Sequence, residues 1–301
     1  MRFSLRQVEV FLAVANTENM TKASEQLAMS QSAASSALKE LEQQFDVLLF
    51  DRIGKRLRLN DHGERVRQEA ISLIEQAKMF ERVMTSAESL GNLHVGATLT
   101  IGNYLAVDMV AQFMRAHTES HVDLTVSNTE HVLGQLLNYE IDIALVEGEL
   151  NHADVDVHPW FDDQLCIVCS PDHELVQISK SRTLNDNDLI NVPWISREIG
   201  SGTRQGFERA MHGIMSDLFI LLELEHTEAI KRAVRSNLGL ACVSEIAVED
   251  EVNEGKLFKL PVIGRDLTRG FYWITHRKRT NTAVLTRFIE ERVLTQLVNK
   301  R

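Results

Sequence analysis

Five polar side chains could read DNA from one face of a predicted helix that begins at Ser30. Helical spacing puts them side by side, and they are Gln31, Ser32, Ser35, Ser36 and Lys39. Hydroxyl and amide groups can hydrogen-bond to base edges in a major groove, and a lysine can contact phosphate. The apolar residues of the same helix are predicted to form a buried stripe of Ala34, Leu38, Leu41 and Phe45. An ordinary solvated helix face would show the same pattern, so this face alone leaves that alternative open.

A cluster of cations after this helix favours nucleic acid as the partner. Within seven residues around Gly54 the chain places four basic side chains, which are Arg52, Lys55, Arg56 and Arg58. Cations this close repel one another unless a polyanion lies nearby. Phe50 is predicted to anchor this segment as a hairpin, and Thr21 is predicted to be the N-cap of the preceding helix. Two helices followed by a basic hairpin have the geometry of a winged helix-turn-helix.

A second kind of chemistry is suggested by a glycine- and hydroxyl-rich segment near residue 200. Gly200 and Gly202 flank Ser201, and Thr203 opens a predicted helix. Backbone N–H groups and hydroxyls that converge in this way can bind an anion. The alternative is that the serine and threonine only cap the helix.

The remaining candidate ligand-binding residues follow from the predicted strands. After Gly91 the sequence alternates strand and helix, which predicts parallel sheets covered by helices. Ligands bind beyond the carboxyl ends of such strands. The predicted ligand site therefore comprises Thr98, Thr100, Ile101, Asn128, Thr129, Glu147, Arg197, Glu198, Gly200, Ser201, Gly202, Thr203 and Thr227. The carboxylate of Glu147 would repel an anion unless it is protonated or paired with Arg197 or Arg204, and it could instead accept a hydrogen bond from an amine or a protonated ligand.

A long helix is predicted between these two regions. Residues 59–91 contain no proline, and apolar or small residues recur at alternating spacings of four and three: Leu59, Gly63, Val66, Ala70, Leu73, Ala77, Phe80, Met84 and Ala87. This heptad pattern predicts a helix that pairs with another helix and ends at Gly91. A helix that packs only on its own domain is the alternative. Pairing would bring two basic hairpins together.

Charge and composition limit the class of protein. The chain has 301 residues and a formal net charge of -11. Residues 1–60 hold eight basic and seven acidic residues, which leaves -12 for the other 241 residues. A nearly neutral DNA-binding domain predicts weak binding as a single copy. The N-terminus lacks the apolar core of a signal peptide and no apolar run reaches membrane-spanning length, so a cytoplasmic protein without a membrane partner is expected.

Cys166 and Cys169 form a C-x-x-C motif, which could be a redox pair or half of a zinc site. They lie in an apolar, strand-like run that would point them to opposite faces, and no second pair follows at zinc spacing. We therefore predict buried, inert thiols and no metal, with a thiol-based redox sensor as the alternative. An α/β enzyme is less favoured, because the sequence has no nucleophile elbow and no dinucleotide-binding glycine loop. No catalytic residue and no cofactor are predicted.

Several short segments resemble a known family. They are residues 7–11, Thr21-Lys22-Ala23, Ser30-Gln31, Leu41-Glu42, Leu49-Phe50-Asp51-Arg52 and the run from Leu59 to Gly63. In this order they resemble the DNA-binding domain of the LysR family of bacterial transcriptional regulators. Ser32 departs from the proline usual in the family, and Asp46 departs from glycine. Residues 141–148 and 228–244 also resemble family patterns, and residues 197–204 resemble a branch with sulfate-assimilation (CysB-type), carbon-fixation (CbbR-type) and sulfite-responsive YeiE-type regulators.

The resemblance implies an architecture. It consists of a winged helix-turn-helix DNA-binding domain (1–60), a dimerising linker helix (61–90) and an effector-binding domain (91–301). The last is a bilobal α/β domain similar to periplasmic binding proteins, with one lobe at about 91–161 and 266–301 and the other at about 162–265.

The resemblance also implies partners. It implies a regulator that binds double-stranded DNA as a tetramer, built as a dimer of dimers through the linker helix and the effector domain, and that can contact RNA polymerase. The branch suggests that the small-molecule effector is a small anion such as sulfite, sulfate or a short carboxylate.

Overall fold

The first of the two units of this chain is a helical domain with a small hairpin. The units comprise Met1–Ser89 and Leu90–Arg301, and the computed structural model describes residues 2–53, 56–85, 91–148, 150–279 and 281–295. The elements of the first unit are α1 (Leu5–Thr17), α2 (Met20–Gln26), α3 (Gln31–Phe45), β1 (Phe50–Ile53), β2 (Arg56–Leu59) and α4 (Asp61–Thr85).

Side-chain caps fix the starts of α2 and α3. The prediction that Thr21 caps α2 was wrong: Asn19 is the cap, because its Oδ1 accepts hydrogen bonds from the backbone N–H groups of Thr21 and Lys22 at 2.9 and 3.1 Å. Ser30 is confirmed as the cap of α3, since its hydroxyl accepts a hydrogen bond from the N–H of Ala33 at 3.2 Å. The two helices are therefore separated by a short, defined turn.

A hydrophobic core joins α1, α3, α4 and the hairpin. Its buried members include Val10, Phe11, Val14, Ala34, Leu38, Leu41, Leu49, Phe50, Ala70 and Ile74. Phe45 was predicted to continue the buried stripe but is 46% exposed. The reason is that α3 ends there, because Asp46 adopts a left-handed conformation at φ 53° and turns the chain. The Phe45 ring lies at the edge of the core, 6.1 Å from the ring centre of Phe3.

The heptad-patterned segment forms a single helix over Asp61–Thr85. Its first turn lies close to the segment before β1, since a Cβ at Gly63 would clash with the carbonyl oxygen of Leu49. Farther along the helix, Phe80 and Met84, which belong to the heptad pattern (the heptad seam), are 67% and 72% exposed. The helix was predicted to end at Gly91, and residues 86–90, which include the heptad residue Ala87, lie outside the described residues.

The second unit is built from α/β elements. They are β3 (Asn92–Thr98), α5 (Leu99–Ile101), α6 (Val107–Ala116), β4 (His121–Ser127), α7 (Thr129–Leu137), β5 (Ile143–Glu147), β6 (Val155–Cys169), α8 (Glu174–Ser181), α9 (Asp186–Ile190), β7 (Pro193–Arg197), α10 (Gly202–Ala210), β8 (Phe219–Leu224), α11 (Thr227–Arg235), β9 (Ala241–Ser244), α12 (Glu249–Asn253), β10 (Phe258–Leu260), β11 (Thr268–His276) and α13 (Ala283–Phe288). Two π-helical turns, Gly102–Ala106 and Ile289–Val293, follow α5 and α13.

The main sheet is mixed, whereas the strand-helix alternation predicted a parallel sheet. Its strand order is β10-β6-β11-β5-β3-β4, with β9 also paired to β6. β3 runs parallel to β4 and β5, and β7 runs parallel to β8, as predicted. However, β11 is antiparallel to β5 and β6, and β6 is antiparallel to β9 and β10. The difference arises because β6 and β11 lie side by side and carry the chain across the unit and back.

Two lobes lie on either side of this crossing. We call the part that holds β3, β4 and β5 lobe I, and the part that holds β7, β8 and β9 lobe II. The core of lobe I includes Leu93, Ile101, Met109, Phe113, Phe271 and Phe288. Lobe II has two cores, one around Leu165, Trp194, Phe207 and Leu240 and the other around Ile195, Ile230 and Val243. The predicted fold class, a helix-turn-helix followed by a bilobal α/β domain, is confirmed.

Candidate functional site

The predicted polar face of α3 lies on the surface of the first unit. Its residues are all exposed, and they are Gln31, Ser32, Ser35, Ser36 and Lys39. Leu38 and Leu41 on the other side of the helix are buried and hold it in the core. The Ser32 hydroxyl lies 3.1 Å from the hydroxyl of the cap Ser30. The face therefore presents short hydrogen-bonding groups and one cation on a helix whose orientation is fixed by packing.

The hairpin places two of its predicted cations on the surface. β1 and β2 pair in antiparallel register, and Arg56 and Arg58 are exposed. The side chain of Arg52 and all of Lys55 lie outside the described residues. The repulsion among the cations is partly relieved by a residue that the sequence did not suggest. The carboxylate of Glu18 lies 3.9 Å from Arg56 and 3.6 Å from Arg58.

In the second unit, three of the predicted ligand residues meet in a buried cluster at the carboxyl ends of β3 and β5. The Thr98 hydroxyl donates a hydrogen bond to one carboxylate oxygen of Glu147. The Thr100 hydroxyl lies 3.3 Å from the other oxygen. All three side chains are buried. The parallel pairing of β3 with β5 brings these residues together, as expected for residues that follow the carboxyl ends of neighbouring parallel strands.

The cation that pairs with Glu147 is Arg269, and not Arg197 or Arg204 as the sequence suggested. Arg269 Nη1 lies 3.6 Å from Glu147, and Nε donates a hydrogen bond to Asp163 at 2.7 Å. The side chains of Arg269, Glu147 and Asp163 are each 1% exposed. One buried guanidinium therefore serves two carboxylates, which it can do because its donors point in different directions.

Arg269 also connects the two lobes. Its Nη2 donates to the Thr100 hydroxyl of lobe I at 3.1 Å, and its Nη1 donates to the Thr203 hydroxyl of lobe II at 2.8 Å. Ser244, at the end of β9, donates to Asp163 at 2.8 Å. The network thus joins the crossing strands to both lobes. A charged residue inside an otherwise apolar strand pattern was the signal that could have identified Arg269 from the sequence.

The two arginines that the sequence favoured have other partners. Arg197 forms a bidentate ion pair with its neighbour Glu198, in which Nε and Nη2 each donate a hydrogen bond at 2.8 Å. Its buried Nη1 has no hydrogen-bond partner among the described residues. Arg204 donates to Ser196 at 3.0 Å and to Glu208 at 2.6 Å. Both arginines therefore lie in lobe II, and among the described residues their ion pairs are with Glu198, Glu208 and Glu223 rather than with Glu147.

The segment 200–203, which was predicted to bind an anion, packs directly against lobe I. The N–H of Gly202 donates to the Thr129 hydroxyl at 3.2 Å, and the N–H of Glu130 donates to the carbonyl of Gly200 at 3.3 Å. The Ser201 hydroxyl is buried and has no hydrogen-bond partner among the described residues. One of the donors expected to hold an anion is thus occupied by protein, while one hydroxyl is available.

A cavity of about 430 Å³ adjoins this contact. Polar and apolar residues of both lobes line it, and they include Thr129, Glu130, Leu133, Ile199, Ser201 and Arg204. Two carboxylates and one guanidinium in the lining, from Glu130, Glu208 and Arg204, give it a mixed charge. The cavity is large enough for a small molecule. Ser201, whose hydroxyl has no hydrogen-bond partner among the described residues, is one of its lining residues.

Three predicted ligand residues lie in the core or at the start of a helix. Ile101 is fully buried in the core of lobe I, so only its backbone could contact a ligand. The Asn128 side chain caps α7 by accepting a hydrogen bond from the N–H of His131 at 2.9 Å. Thr227 is buried in the first turn of α11.

A second contact between the lobes was not predicted. The Tyr104 hydroxyl, from the π-helical turn after α5, donates to Glu228 of α11 at 2.8 Å. Burial and this hydrogen bond raise the pKa of Tyr104 to about 12. The buried ammonium of Lys231 lies 2.6 Å from Glu228 and 2.8 Å from Glu251. Tyr104 therefore ties the lobes together in addition to Arg269 and to the contact of Gly200 and Gly202 with lobe I.

The cysteines are placed as predicted. Cys166 belongs to one core of lobe II and Cys169 to the other, so the two side chains lie on opposite faces of β6. Burial raises the pKa of both thiols to about 12. Thiolate reactivity is therefore suppressed. Among the described residues, no cluster of His, Cys, Asp or Glu is placed to bind a metal ion.

Comparison with known proteins gives consistent family matches for both units. Residues 5–64 match the "Bacterial regulatory helix-turn-helix protein, lysR family", and residues 86–292 match the "LysR substrate binding domain". Within the described ranges, no helix is long and apolar enough to cross a membrane.

Full-length relatives and a solved structure resemble the whole chain. The uncharacterized HTH-type transcriptional regulator YeiE of Escherichia coli (strain K12) is 35% identical, and the match covers 96% of this chain and 97% of YeiE. The RuBisCO operon transcriptional regulator of Allochromatium vinosum is 32% identical over 94% of this chain and 93% of its own length. A full-length OxyR variant from Pseudomonas aeruginosa has a TM-score of 0.71 at 21% identity, covering 99% of this chain and 95% of that one. At that identity the structural likeness concerns the fold alone.

Proposed function

The chain belongs to the LysR family of bacterial transcriptional regulators, and from this premise we propose that its first unit binds DNA through α3 and the hairpin while its second unit binds a small effector. The observation that most supports the DNA-binding part is the exposed face of α3, which is backed by a buried apolar stripe and followed by exposed arginines. Such a helix can enter a major groove while the hairpin contacts the backbone.

We assign different roles to the two parts of this surface. The hydroxyl and amide groups of α3 contact base edges, and they belong to Gln31, Ser32, Ser35 and Ser36. The cations contact phosphates, and they are Lys39, Arg52, Lys55, Arg56 and Arg58. Base contacts carry sequence preference, whereas phosphate contacts carry affinity that depends on salt.

Lys39→Ala tests the phosphate contact. We expect the variant to bind duplex DNA more weakly at every sequence and to reduce the slope of log K against log salt concentration by about 0.9 per copy, because one phosphate is no longer neutralised. Fluorescence anisotropy of a labelled promoter fragment at several salt concentrations measures both quantities. Lys180→Ala is the matched control, because it removes an exposed lysine from the second unit. An unchanged slope with Lys39→Ala would contradict the contact.

The active form is proposed to contain paired copies of the chain. Residues 1–60 carry a charge of only +1, so one copy offers weak attraction for DNA. The exposed Phe80 and Met84 on α4 continue the heptad seam and provide an apolar surface for a second copy. A tetramer built as a dimer of dimers, joined through α4 and the second unit, is the proposed assembly. Sedimentation of the full chain at the single-chain mass of 34.1 kDa would contradict it.

For the effector we propose a small anion such as sulfite, sulfate or a short carboxylate. The support is the pair of hydroxyls, from Thr100 and Thr203, that accept hydrogen bonds from the guanidinium of Arg269, with the Thr98 hydroxyl on the neighbouring Glu147. Because Glu147 already lies beside Arg269, an incoming anion has to compete with this carboxylate. If the ligand displaced the Glu147 carboxylate from Arg269, the contacts between the lobes would change, and one arrangement of the regulator would be favoured over another. Coupling of about 1–3 kcal/mol to DNA binding or polymerase contact would be typical.

Titration of the full chain with sulfite, sulfate and short carboxylates at constant ionic strength tests this proposal. The three tryptophans, Trp160, Trp194 and Trp273, all lie in the second unit, so their fluorescence reports on it alone. A saturable change with one of these anions, together with an altered affinity for DNA, is expected. The absence of any response across the series would exclude a small anion of this kind as the effector.

A further inference from the structure

Glu18 connects the turn after α1 to the hairpin in two ways. Its backbone carbonyl accepts a hydrogen bond from the N–H of Leu57 at 3.0 Å. Its carboxylate lies 3.6 Å from Nε of Arg58 and 3.9 Å from Nη1 of Arg56. One acidic residue is therefore shared by two cations that lie on the proposed DNA-binding surface.

The backbone conformation at Glu18 does not itself require a glutamate. Glu18 caps the C-terminus of α1 in the left-handed region at φ 50°. Glycine adopts this conformation freely, whereas a residue with a Cβ does so at a cost. The main-chain bonds at this position, including the one from its N–H to the carbonyl of Val14 at 2.8 Å, would be available to glycine as well. What glutamate adds is a negative charge beside the hairpin.

We propose that Glu18 weakens the binding of the hairpin to DNA. Its carboxylate attracts Arg56 and Arg58 toward the body of the first unit, and it repels the phosphates that these arginines would contact. Since phosphate contacts carry no base information, the effect falls on every duplex alike and leaves sequence preference to α3. This inference depends on the proposed contact between the hairpin and DNA. Glu18 is a positioning residue and does not itself contact a base.

The experiment uses the full chain and a labelled duplex of random sequence, with binding measured by anisotropy over a series of KCl concentrations. Glu18→Gln keeps the shape of the side chain and removes its charge. We expect binding about three- to fivefold tighter, because a repulsive charge several ångströms from phosphate is lost. We also expect the salt dependence to become steeper by up to about 0.9 per copy, because an arginine is released for phosphate.

Two further variants separate this effect from a general gain in positive charge. Glu64→Gln removes a carboxylate that is also exposed and lies 4.0 Å from Arg67, on α4, and it is expected to change neither quantity comparably. In an Arg58→Gln background, Glu18→Gln is expected to gain less than in the wild-type chain, because only the repulsion of phosphate and the attraction to Arg56 then remain to be removed.

Three results would overturn the proposal. They are weaker or unchanged binding by Glu18→Gln, an equal gain from Glu64→Gln, and an undiminished gain in the Arg58→Gln background. A thermal melt confirms that each variant is folded. If the wild-type chain bound no duplex at all, the proposed DNA contacts themselves would be refuted, and the role of Glu18 with them.

Discussion

Arg269→Met is expected to lower the free energy of unfolding of the second unit by about 3–5 kcal/mol, because it leaves two buried carboxylates without their cation. Asp163 loses its hydrogen bond at 2.7 Å and Glu147 its neighbour at 3.6 Å. The hydroxyls of Thr100 and Thr203 lose their donors as well. Unfolding in denaturant, followed by tryptophan fluorescence, measures the change, because all three tryptophans lie in this unit.

Arg277→Met provides the matched control for this substitution. Arg277 follows β11 and pairs with Asp156 at 3.0 Å, but the two side chains are 58% and 46% exposed. An exposed pair contributes about 1 kcal/mol or less, so this variant should lose little. Replacing Asp163 by Asn and Glu147 by Gln in the Arg269→Met chain should restore part of the loss, since no buried charge then remains unpaired. Similar destabilisation by the two arginine variants would show that the buried network contributes no more than a surface ion pair.

The DNA-binding unit could be predicted largely from local sequence. The cap at Ser30, the alternation of polar and apolar residues along α3 and the heptad pattern of α4 are each set by residues within a few turns of one another. The resemblance to the LysR family is confirmed. The local errors were at ends of elements: Asn19 rather than Thr21 caps α2, and Phe45 is exposed because the chain turns at Asp46.

The candidate ligand site could be predicted only in part, because its contacts join residues that are distant in the sequence. The ends of β3 and β5 were predictable from the parallel strand pattern, and so Thr98, Thr100 and Glu147 were grouped correctly as neighbours. Arg269 comes from a strand more than one hundred residues later, and its register against β6 places it beside Asp163. No local pattern encodes that register. The sequence therefore suggested nearby arginines as partners of Glu147.

The crossing strands explain the error in sheet type as well. β6 has 15 residues and pairs with β11 along one part and with β9 and β10 along the other. Pro159 lies within β6 opposite Tyr272, at an irregular pairing where a missing N–H is tolerated.

Gly202→Ala is the second substitution expected to lower the stability of the second unit strongly, because it forces the two lobes apart at the segment predicted to bind an anion. A Cβ at this position would overlap the carbonyl oxygen of Glu147 and would lie 2.7 Å from its Cγ. The clash is with backbone, so it can be relieved only if the loop or the lobe moves. We expect a loss of about 1–3 kcal/mol in the stability of the second unit. If the effector binds the arrangement in which the lobes are in contact, its affinity should also fall by about tenfold or more.

The same denaturation and anion titration measure these changes, and Gly134→Ala is the control that separates them from a general effect of adding a methyl group. Gly134 lies in α7 of the same unit, and apart from the backbone of its own helix and its chain neighbours no described atom lies within 4 Å of the Cβ it would gain. Alanine in a helix interior is favoured over glycine by about 1 kcal/mol, so this variant should be as stable as the wild type or slightly more stable. Unaltered stability and anion binding in Gly202→Ala would mean that the contact between Gly202 and Glu147 is not part of the ligand-binding arrangement. The effector would then have to bind without the close approach of the lobes that this glycine permits.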